Sequence, residues 1–122
     1  MRPVDRTILI VDDHAAFRRS ARALLQAEGL DVVGEAADGA AALAEVARLS
    51  PAIVLLDIQL PDTDGFAVAA TLAGRPDPPS VILISSRDAM EYGDRIPAAD
   101  TLGFIVKSRL SGAAIAALLE SP

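Results

Sequence analysis

The sequence contains no cysteine and no tryptophan, and aromatic residues make up only 3% of it. The absence of cysteine excludes disulfide bonds, thiol catalysis and metal sites built on thiolates. The scarcity of aromatic residues excludes a surface on which nucleotide bases could stack. The formal net charge of −6 argues against direct binding of nucleic acid by this domain.

Long apolar runs are also absent, since no segment approaches the length needed to cross a bilayer. The first residues, Met1–Arg6, have none of the features of a signal peptide. We therefore expect a cytoplasmic protein that makes no contact with a membrane. The length of 122 residues and a hydrophobic fraction of 52% predict one folded domain over residues 1–122.

Short apolar segments that end in polar residues are what the sequence does contain. Ile53–Leu56 is continuously apolar and rich in branched residues, which is typical of a strand buried on both faces in a parallel sheet. Related patterns predict five strands in all, at Thr7–Val11, Asp31–Ala36, Ile53–Leu56, Ser80–Ser85 and Gly103–Val106.

Helical signals lie between and after these strands. Asp64 is expected to cap a helix, and Ser111 is expected to cap the last one. The segment from Arg87 to Ile96 is only weakly helical. The helix after Asp64 is predicted to carry an apolar inner face made of Phe66, Ala69, Ala70 and Ala73.

Alternation of five strands with five helices predicts an α/β fold with three layers and right-handed crossovers. A chain of this size suits the doubly wound, flavodoxin-like strand order 2-1-3-4-5. Ligands of such sheets bind beyond the carboxyl ends of the strands, at the switch point between strands one and three. Those two strands end in Asp12-Asp13 and in Asp57.

Three carboxylates that converge at one sheet edge repel each other unless a cation neutralises them. Oxygen ligands without cysteine select a hard ion, Mg²⁺ first, and this preference disfavours His14 as a ligand. Strand four ends in the hydroxyl of Ser85 and strand five ends at Lys107. Acids, a hydroxyl and a cation at neighbouring strand ends are typical of a phosphoryl-transfer site with a carboxylate nucleophile.

The ordered set of these motifs resembles the receiver domain of bacterial two-component response regulators. The resemblance covers nearly the whole chain, and its parts are Asp12-Asp13, Leu56–Pro61 with Asp64-Gly65, Ser85, and Gly103–Lys107. Val11–His14 followed by Phe17-Arg18 is most similar to receivers of the subfamily that often carries a helix-turn-helix output domain.

The resemblance implies that Asp57 accepts a phosphoryl group from a sensor histidine kinase. It further implies that Asp13, Asp57 and the carbonyl of Gln59 hold Mg²⁺, with Asp12 helping through water. By the same resemblance, Ser85 and Lys107 contact the phosphoryl group and Phe104 is the switch aromatic. The chain would then be a signalling domain and not an enzyme.

Phosphorylation is expected to draw the hydroxyl of Ser85, taken as uncommitted, toward the phosphoryl group. Phe104 would then turn inward, and the surface of helix four, strand five and helix five would change for a partner or a second copy. Gln59 and Arg87 are expected to border the path of an attacking water and to tune the phosphoryl lifetime. Three outward arginines of the first helix, Arg18, Arg19 and Arg22, are either a solvated face or part of the kinase docking surface.

Three other functions remain open at this point. An aspartate-nucleophile phosphohydrolase would need a second acid two residues after Asp57, where the sequence has Gln59. A flavin carrier would need a hydroxyl-rich loop after strand one, where the sequence is acidic. A receiver-like binding module that is never phosphorylated is the third. We expect no output domain within residues 1–122, and the sequence does not name the kinase, the stimulus, the oligomeric state or the phosphoryl lifetime.

Overall fold

A computed structural model describes residues 7–120 of the chain. The segment Met1–Arg6, for which no signal peptide is expected, lies outside the described residues. Five parallel strands form one sheet: β1 (Thr7–Val11), β2 (Asp31–Ala36), β3 (Ile53–Asp57), β4 (Ser80–Ser85) and β5 (Gly103–Val106). Five helices accompany them: α1 (Ala15–Ala27), α2 (Gly39–Leu49), α3 (Gly65–Ala73), α4 (Arg95–Ala98) and α5 (Gly112–Glu120).

The strand order is β2-β1-β3-β4-β5, which confirms the predicted doubly wound topology. The register of the parallel pairs places Val11 beside Leu56 and Asp57 beside Ile84. The residues that follow β1 and β3 therefore emerge next to each other at the carboxyl edge of the sheet. No helix within residues 7–120 has both the length and the apolar composition of a membrane span.

Side chains of each strand alternate between two apolar clusters, one on each face of the sheet. On β3, Ile53 and Leu55 join the cluster that contains residues of α1 and α5, whereas Val54 and Leu56 join the cluster that contains residues of α2 and α3. These two faces are called the α1/α5 face and the α2/α3 face below. The inner strands β1, β3 and β4 are covered on both faces, which explains why β3 and β4 are apolar without alternation, whereas the edge strands β2 and β5 are only partly buried.

The helix after Asp64 buries a face shifted by one residue from the predicted one, so that Ala69 alone of the predicted set is fully buried while Phe66 packs partly buried against the α2/α3 face. Asp64 does cap α3, since its side chain accepts a hydrogen bond from the N–H of Ala67. Val68, Ala69 and Leu72 are buried, however, and Ala70 is exposed. Nearly every residue of this short helix is apolar, so its sequence carries no clear period that distinguishes the inner face.

The connection between β4 and β5 differs from the others. It contains a 3₁₀ helix at Ala89–Tyr92 and the single turn of α4, with no longer helix between them. The structure thus confirms the weak helical signal of Arg87–Ile96 and shows its cause. Gly93 separates the two pieces at a φ of 56°, and Pro97 lies within the second.

Candidate functional site

Two buried carboxylates and a lysine form a cluster at the carboxyl edge of the sheet. Asp12 is fully buried after β1, and Asp57 is 3% exposed at the end of β3. Lys107, the only lysine of the sequence, follows β5. Its Nζ lies 3.1 Å from Oδ2 of Asp57 and forms a second ion pair with Oδ2 of Asp12. The three strand ends thus bring together the residues that the sequence predicts.

Burial and charge act differently on the three groups. Burial raises the pKa of Asp57 and the Asp12 carboxylate adds to this effect, against the opposing influence of Lys107 and of the N–H of Gln59. Burial also opposes ionisation of Asp12, but contacts with Lys107 and the His14 N–H outweigh it and lower the pKa of Asp12. Burial disfavours the charged form of Lys107, yet the two carboxylates outweigh it and raise the pKa of the ammonium.

Asp13 and His14 complete the acidic side of the site. The side chain of Asp13 is 37% exposed. The Nδ1 of His14 lies 3.1 Å from Oδ1 of Asp12 and 3.2 Å from Oδ1 of Asp13. The His14 main-chain N–H also donates to Oδ1 of Asp12 at 2.8 Å. The imidazole therefore contacts both acids, although the preference of Mg²⁺ for oxygen disfavours His14 as a ligand.

The donor atoms of this cluster fit a hard divalent cation. Asp12, Asp13, His14 and Asp57 each offer one ligand atom, and these atoms lie within 4.8 Å of one another. Oδ2 of Asp12 is buried and accepts no hydrogen bond of good geometry, although the ion pair with Lys107 faces it. Three acids this close together, with Lys107 facing only two of them, form an arrangement that a cation with oxygen preference can complete.

Helix α1 holds the acidic loop in place. Nη1 of Arg18 donates to the main-chain carbonyl of Asp12 at 2.6 Å, and its Nε donates to Glu35 at 2.9 Å. Arg22 donates to the same glutamate at 2.7 Å. Of the three arginines considered for kinase docking, only Arg19 is left without such a contact among the described residues. Arg18 and Arg22 instead link α1 to β2 through Glu35. The helical period of the sequence could not predict these contacts, because Glu35 lies on another element.

The hydroxyl of Ser85 is not uncommitted, contrary to the expectation. Ser85 is 1% exposed at the end of β4. Its Oγ accepts a hydrogen bond from the N–H of Arg87 at 3.0 Å and shares a second hydrogen bond with the hydroxyl of Tyr92 at 2.7 Å. Tyr92 lies in the weakly helical connection, and no sequence pattern indicated that it would reach this strand end.

Tyr92 also joins a row of aromatic rings on the α2/α3 face. Its ring lies 6.0 Å from that of Phe66 and 6.3 Å from that of Phe104, centroid to centroid. The guanidinium of Arg95 lies 4.3 Å from the centroid of Phe66. Phe104 is partly buried and packs against the apolar cluster of this face. The predicted switch aromatic is therefore in contact with the residue that binds Ser85.

The loop after β3 surrounds Asp57 with main-chain groups. The N–H of Gln59 donates to Oδ1 of Asp57 at 3.0 Å. Gly65 begins α3 so close to this loop that a Cβ would lie 2.5 Å from the carbonyl oxygen of Asp57, so only glycine fits there. The guanidinium of Arg87 pairs with Glu91 at 3.3 Å on an exposed surface, and this structure gives it no contact with Asp57.

Comparison with known proteins places this geometry in a family. The family described as the response regulator receiver domain matches residues 8–118. The chain is similar to the transcriptional regulatory protein PdtaR of Mycobacterium tuberculosis, with 36% identity over 107 residues, 85% of this chain and 50% of the relative. It spans about half the length, or less, of the curated relatives it matches.

Solved structures agree with this result. The signal receiver domain of NarL from M. tuberculosis has a TM-score of 0.83 and 32% identity, and the match covers 94% of this chain and 97% of that one. A complex of CheX with CheY, BeF3 and Mg²⁺ from Borrelia burgdorferi has a TM-score of 0.79 and 26% identity, and the match covers 93% of this chain and 85% of that one. These matches do not favour the phosphohydrolase, the flavin carrier or the unphosphorylated module.

Proposed function

This chain belongs to the response regulator receiver family, and we propose that Asp57 is the residue on which it accepts a phosphoryl group. One observation supports this most strongly: Asp57 is a nearly buried carboxylate that shares Lys107 with a second buried carboxylate, Asp12. Aspartates are almost never buried unless they are paired, and two of them around one lysine at the carboxyl edge of a parallel sheet form a candidate reaction site. Desolvation also raises the pKa of Asp57, which makes its ionised form a stronger nucleophile than an exposed aspartate.

The proposed donor is a phosphohistidine of a sensor histidine kinase. A carboxylate oxygen of Asp57 forms a bond to phosphorus while the bond from phosphorus to the histidine nitrogen breaks, and the electron pair of that bond remains on the nitrogen. The ammonium of Lys107, 3.1 Å from Asp57, lies where it would pair with a phosphoryl oxygen as negative charge accumulates there. The N–H of Gln59 holds the other carboxylate oxygen during transfer.

We assign the cation to Mg²⁺, held by Asp13, Asp57 and the carbonyl of Gln59, with Asp12 contributing through water. Bound there, Mg²⁺ supplies positive charge that offsets the repulsion between the acids and an incoming phosphoryl group. The main support in this chain is the close group of ligand atoms from Asp12, Asp13, His14 and Asp57 at the carboxyl edge of the sheet. The CheY complex with BeF3 and Mg²⁺ supports the same assignment by similarity.

Ser85 and Phe104 are proposed to carry the change away from the site. Ser85 would bond a phosphoryl oxygen, and Phe104 would turn inward on the α2/α3 face. An open groove beside Phe104, bordered by Val106 and Leu118 of β5 and α5, lies on the surface that would change. We propose that a partner, or a second copy through α4, β5 and α5, recognises this surface.

Gln59 and Arg87 are proposed to tune the lifetime of the aspartyl phosphate. Both lie two residues beyond a site residue, on loops at the carboxyl edge of the sheet. Arg87 would have to leave its exposed pair with Glu91 before it could screen the phosphoryl group. The whole protein is proposed to act in the cytoplasm downstream of its kinase, without direct nucleic-acid binding by this domain.

Phosphorylation by a small acyl phosphate tests the proposal. Incubation with acetyl phosphate and Mg²⁺ is expected to add one phosphoryl group per chain, measured as intact mass, and EDTA is expected to prevent the addition. Asp57→Asn should remain unlabelled because the nucleophile is lost. Asp62→Asn is the matched control, since Asp62 is an acid of the same loop that binds the N–H groups of Gly39 and Ala40 instead.

Asp62→Asn is expected to label as wild type does. Equal labelling of Asp57→Asn and wild type would show that another residue accepts the phosphoryl group. A wild-type protein that takes up no phosphoryl group from acetyl phosphate or from any kinase would overturn the proposed function.

A further inference from the structure

The hydrogen bonds of Ser85 raise a question about where its proton points. A serine hydroxyl can donate one hydrogen bond and accept two. The N–H of Arg87 already donates to Oγ, so one acceptor position is filled. The 2.7 Å contact with Tyr92 can be made in either direction, because both groups are hydroxyls. If Ser85 donates to Tyr92, its proton is not free for a phosphoryl oxygen.

If Tyr92 donates instead, both acceptor positions of Ser85 are filled and its single proton is left for a third group. A buried hydroxyl without a partner is costly, so that proton turns to whatever acceptor the strand end offers. Asp57 pairs with Ile84, the residue before Ser85, so a phosphoryl group on Asp57 would be on the neighbouring strand. The direction of the Tyr92 hydrogen bond therefore decides whether Ser85 is ready to bind that group.

The position of the Tyr92 hydroxyl is set by packing. The 3₁₀ helix Ala89–Tyr92 is too short to hold a side chain by itself. Phe66 and Phe104 contact the Tyr92 ring from two sides, and Arg95 covers Phe66 while pairing with Asp64 at 3.4 Å. These contacts leave the hydroxyl pointed at Ser85, where it makes its only hydrogen bond among residues 7–120.

We propose that Tyr92 is a positioning residue for phosphoryl acceptance: its hydroxyl donates to Ser85 and orients the Ser85 proton toward the phosphoryl group on Asp57. The proposal rests on the proposed function, because it needs Asp57 to be the acceptor. It adds a residue from the connection between β4 and β5 to the site. Through this hydrogen bond the connection contacts the Ser85 hydroxyl directly. Movement of Ser85 is therefore passed to Tyr92 and to Phe104 beside it.

A double-mutant cycle on the rate of phosphorylation tests this role. Tyr92→Phe removes one oxygen atom and keeps the ring. It is expected to slow labelling by acetyl phosphate about threefold to tenfold, the range for one hydrogen bond of ordinary strength. In the Ser85→Ala background, Tyr92→Phe should have no effect, because the group it positions is gone. Mg²⁺ affinity and melting temperature serve to show that each variant is folded with an intact acid cluster.

Phe66→Leu tests the packing that holds the ring, since Phe66 contacts Tyr92 but has no hydroxyl. Any slowing that it causes by loosening Tyr92 should disappear in the Ser85→Ala background, as that of Tyr92→Phe does. A spectroscopic readout is also available because Tyr92 is the only tyrosine. With ¹³Cζ-labelled tyrosine, beryllofluoride should shift this single resonance in wild type and leave it unmoved in Ser85→Ala.

The outcomes separate this inference from the proposed function. A wild-type protein that is never phosphorylated overturns both. A wild-type protein that is phosphorylated as fast as Tyr92→Phe overturns the positioning role alone. A slow Tyr92→Phe whose defect persists in Ser85→Ala also overturns it, because the tyrosine would then act through packing and not through the serine hydroxyl.

Discussion

The two faces of the sheet contribute different chemistry to the same edge. By strand alternation, Asp12, Asp57 and Lys107 belong to the α1/α5 face, where the Nζ of Lys107 lies 4.6 Å from the ring centroid of Phe17. Ser85 and Phe104 belong by the same alternation to the α2/α3 face, with Tyr92 packed beside them. One face carries the charges, and the other carries the hydroxyls and aromatic rings.

The two faces are also held differently. The acidic loop after β1 is stabilised by α1, a helix of 13 residues, whose Arg18 binds both the Asp12 carbonyl and Glu35. Ser85 and Tyr92, on the α2/α3 face, depend instead on the connection between β4 and β5, whose two short helices have four residues each. Few buried contacts and short helices are typical of segments that open at low cost. We infer that the charged face receives the phosphoryl group and the other face moves in response.

The largest expected effect is that of Lys107→Met on stability. The substitution leaves Asp12 and Asp57 buried without their shared cation, and such a loss costs about 3 kcal/mol or more. In EDTA, the free energy of unfolding measured with urea should fall by about this amount. Added Mg²⁺ should stabilise the variant more than it stabilises wild type, because it replaces part of the missing charge.

Arg109→Met is the control for Lys107→Met, since Arg109 is an exposed cation two residues away. It should change stability by less than about 0.5 kcal/mol. Equal destabilisation by the two variants would mean that the charged face does not depend on the buried lysine.

A smaller effect is expected from Glu35→Gln, which weakens the ion pairs that Glu35 forms with Arg18 and Arg22 of α1. Burial opposes ionisation of Glu35, but Arg22 and Arg18 outweigh it and lower the pKa of the carboxyl. The stabilisation is therefore fully present above the ordinary pKa of 4.5 and is lost as the pH falls through the lower folded-state pKa. At pH 7 the variant should be less stable by about 1 kcal/mol, since the pair is partly exposed.

The pH dependence distinguishes charge from packing at Glu35. The difference between wild type and Glu35→Gln, measured by urea unfolding, should shrink steadily as the pH is lowered below 4.5. A difference that stays constant from neutral to acidic pH would show that the arginines do not stabilise the ionised carboxyl.

The smallest expected effect concerns the exposed pair of Arg87 and Glu91. Arg87→Ala should shorten the half-life of the aspartyl phosphate, because a cation that can screen the group from water is lost. Glu91→Ala should lengthen it, because the guanidinium is released from its pair. Each change should be about twofold, as expected for exposed charges, and should leave Mg²⁺ affinity unaltered. If both variants decay as wild type does, Arg87 only faces solvent.

Most of the fold could be predicted because strands in a covered parallel sheet are short and apolar. Residues Thr7–Val11 and Ile53–Leu56 show this pattern without interruption, and the structure places strands there. The inner face of α3 could not be predicted, since alanines and other apolar residues occur all around the helix. The bounds of the two short helices between β4 and β5 could not be predicted either, because Gly93 and Pro97 interrupt the helical period.

The site divides in the same way. Asp57 is the last residue of β3, and Asp12 and Lys107 directly follow β1 and β5, so the topology alone brings them together. Tyr92 and Glu35 could not be assigned, since their contacts depend on how a loop or a helix packs and not on where a strand ends. The committed hydroxyl of Ser85 was missed for that reason, and it changes the account of how the signal leaves the site.

The central claim is that the acids and lysine of the α1/α5 face receive the phosphoryl group while the α2/α3 face moves. Amide NMR with beryllofluoride tests this claim most directly. In wild type, beryllofluoride and Mg²⁺ should shift amides near Asp57 and then from Ser85 through Tyr92 to Phe104, while the amides of α1 beyond Arg18 stay in place. In Ser85→Ala the shifts should remain confined to the surroundings of Asp57. An equally wide spread of shifts in both proteins, or larger shifts in α1 than around Tyr92, would contradict this account.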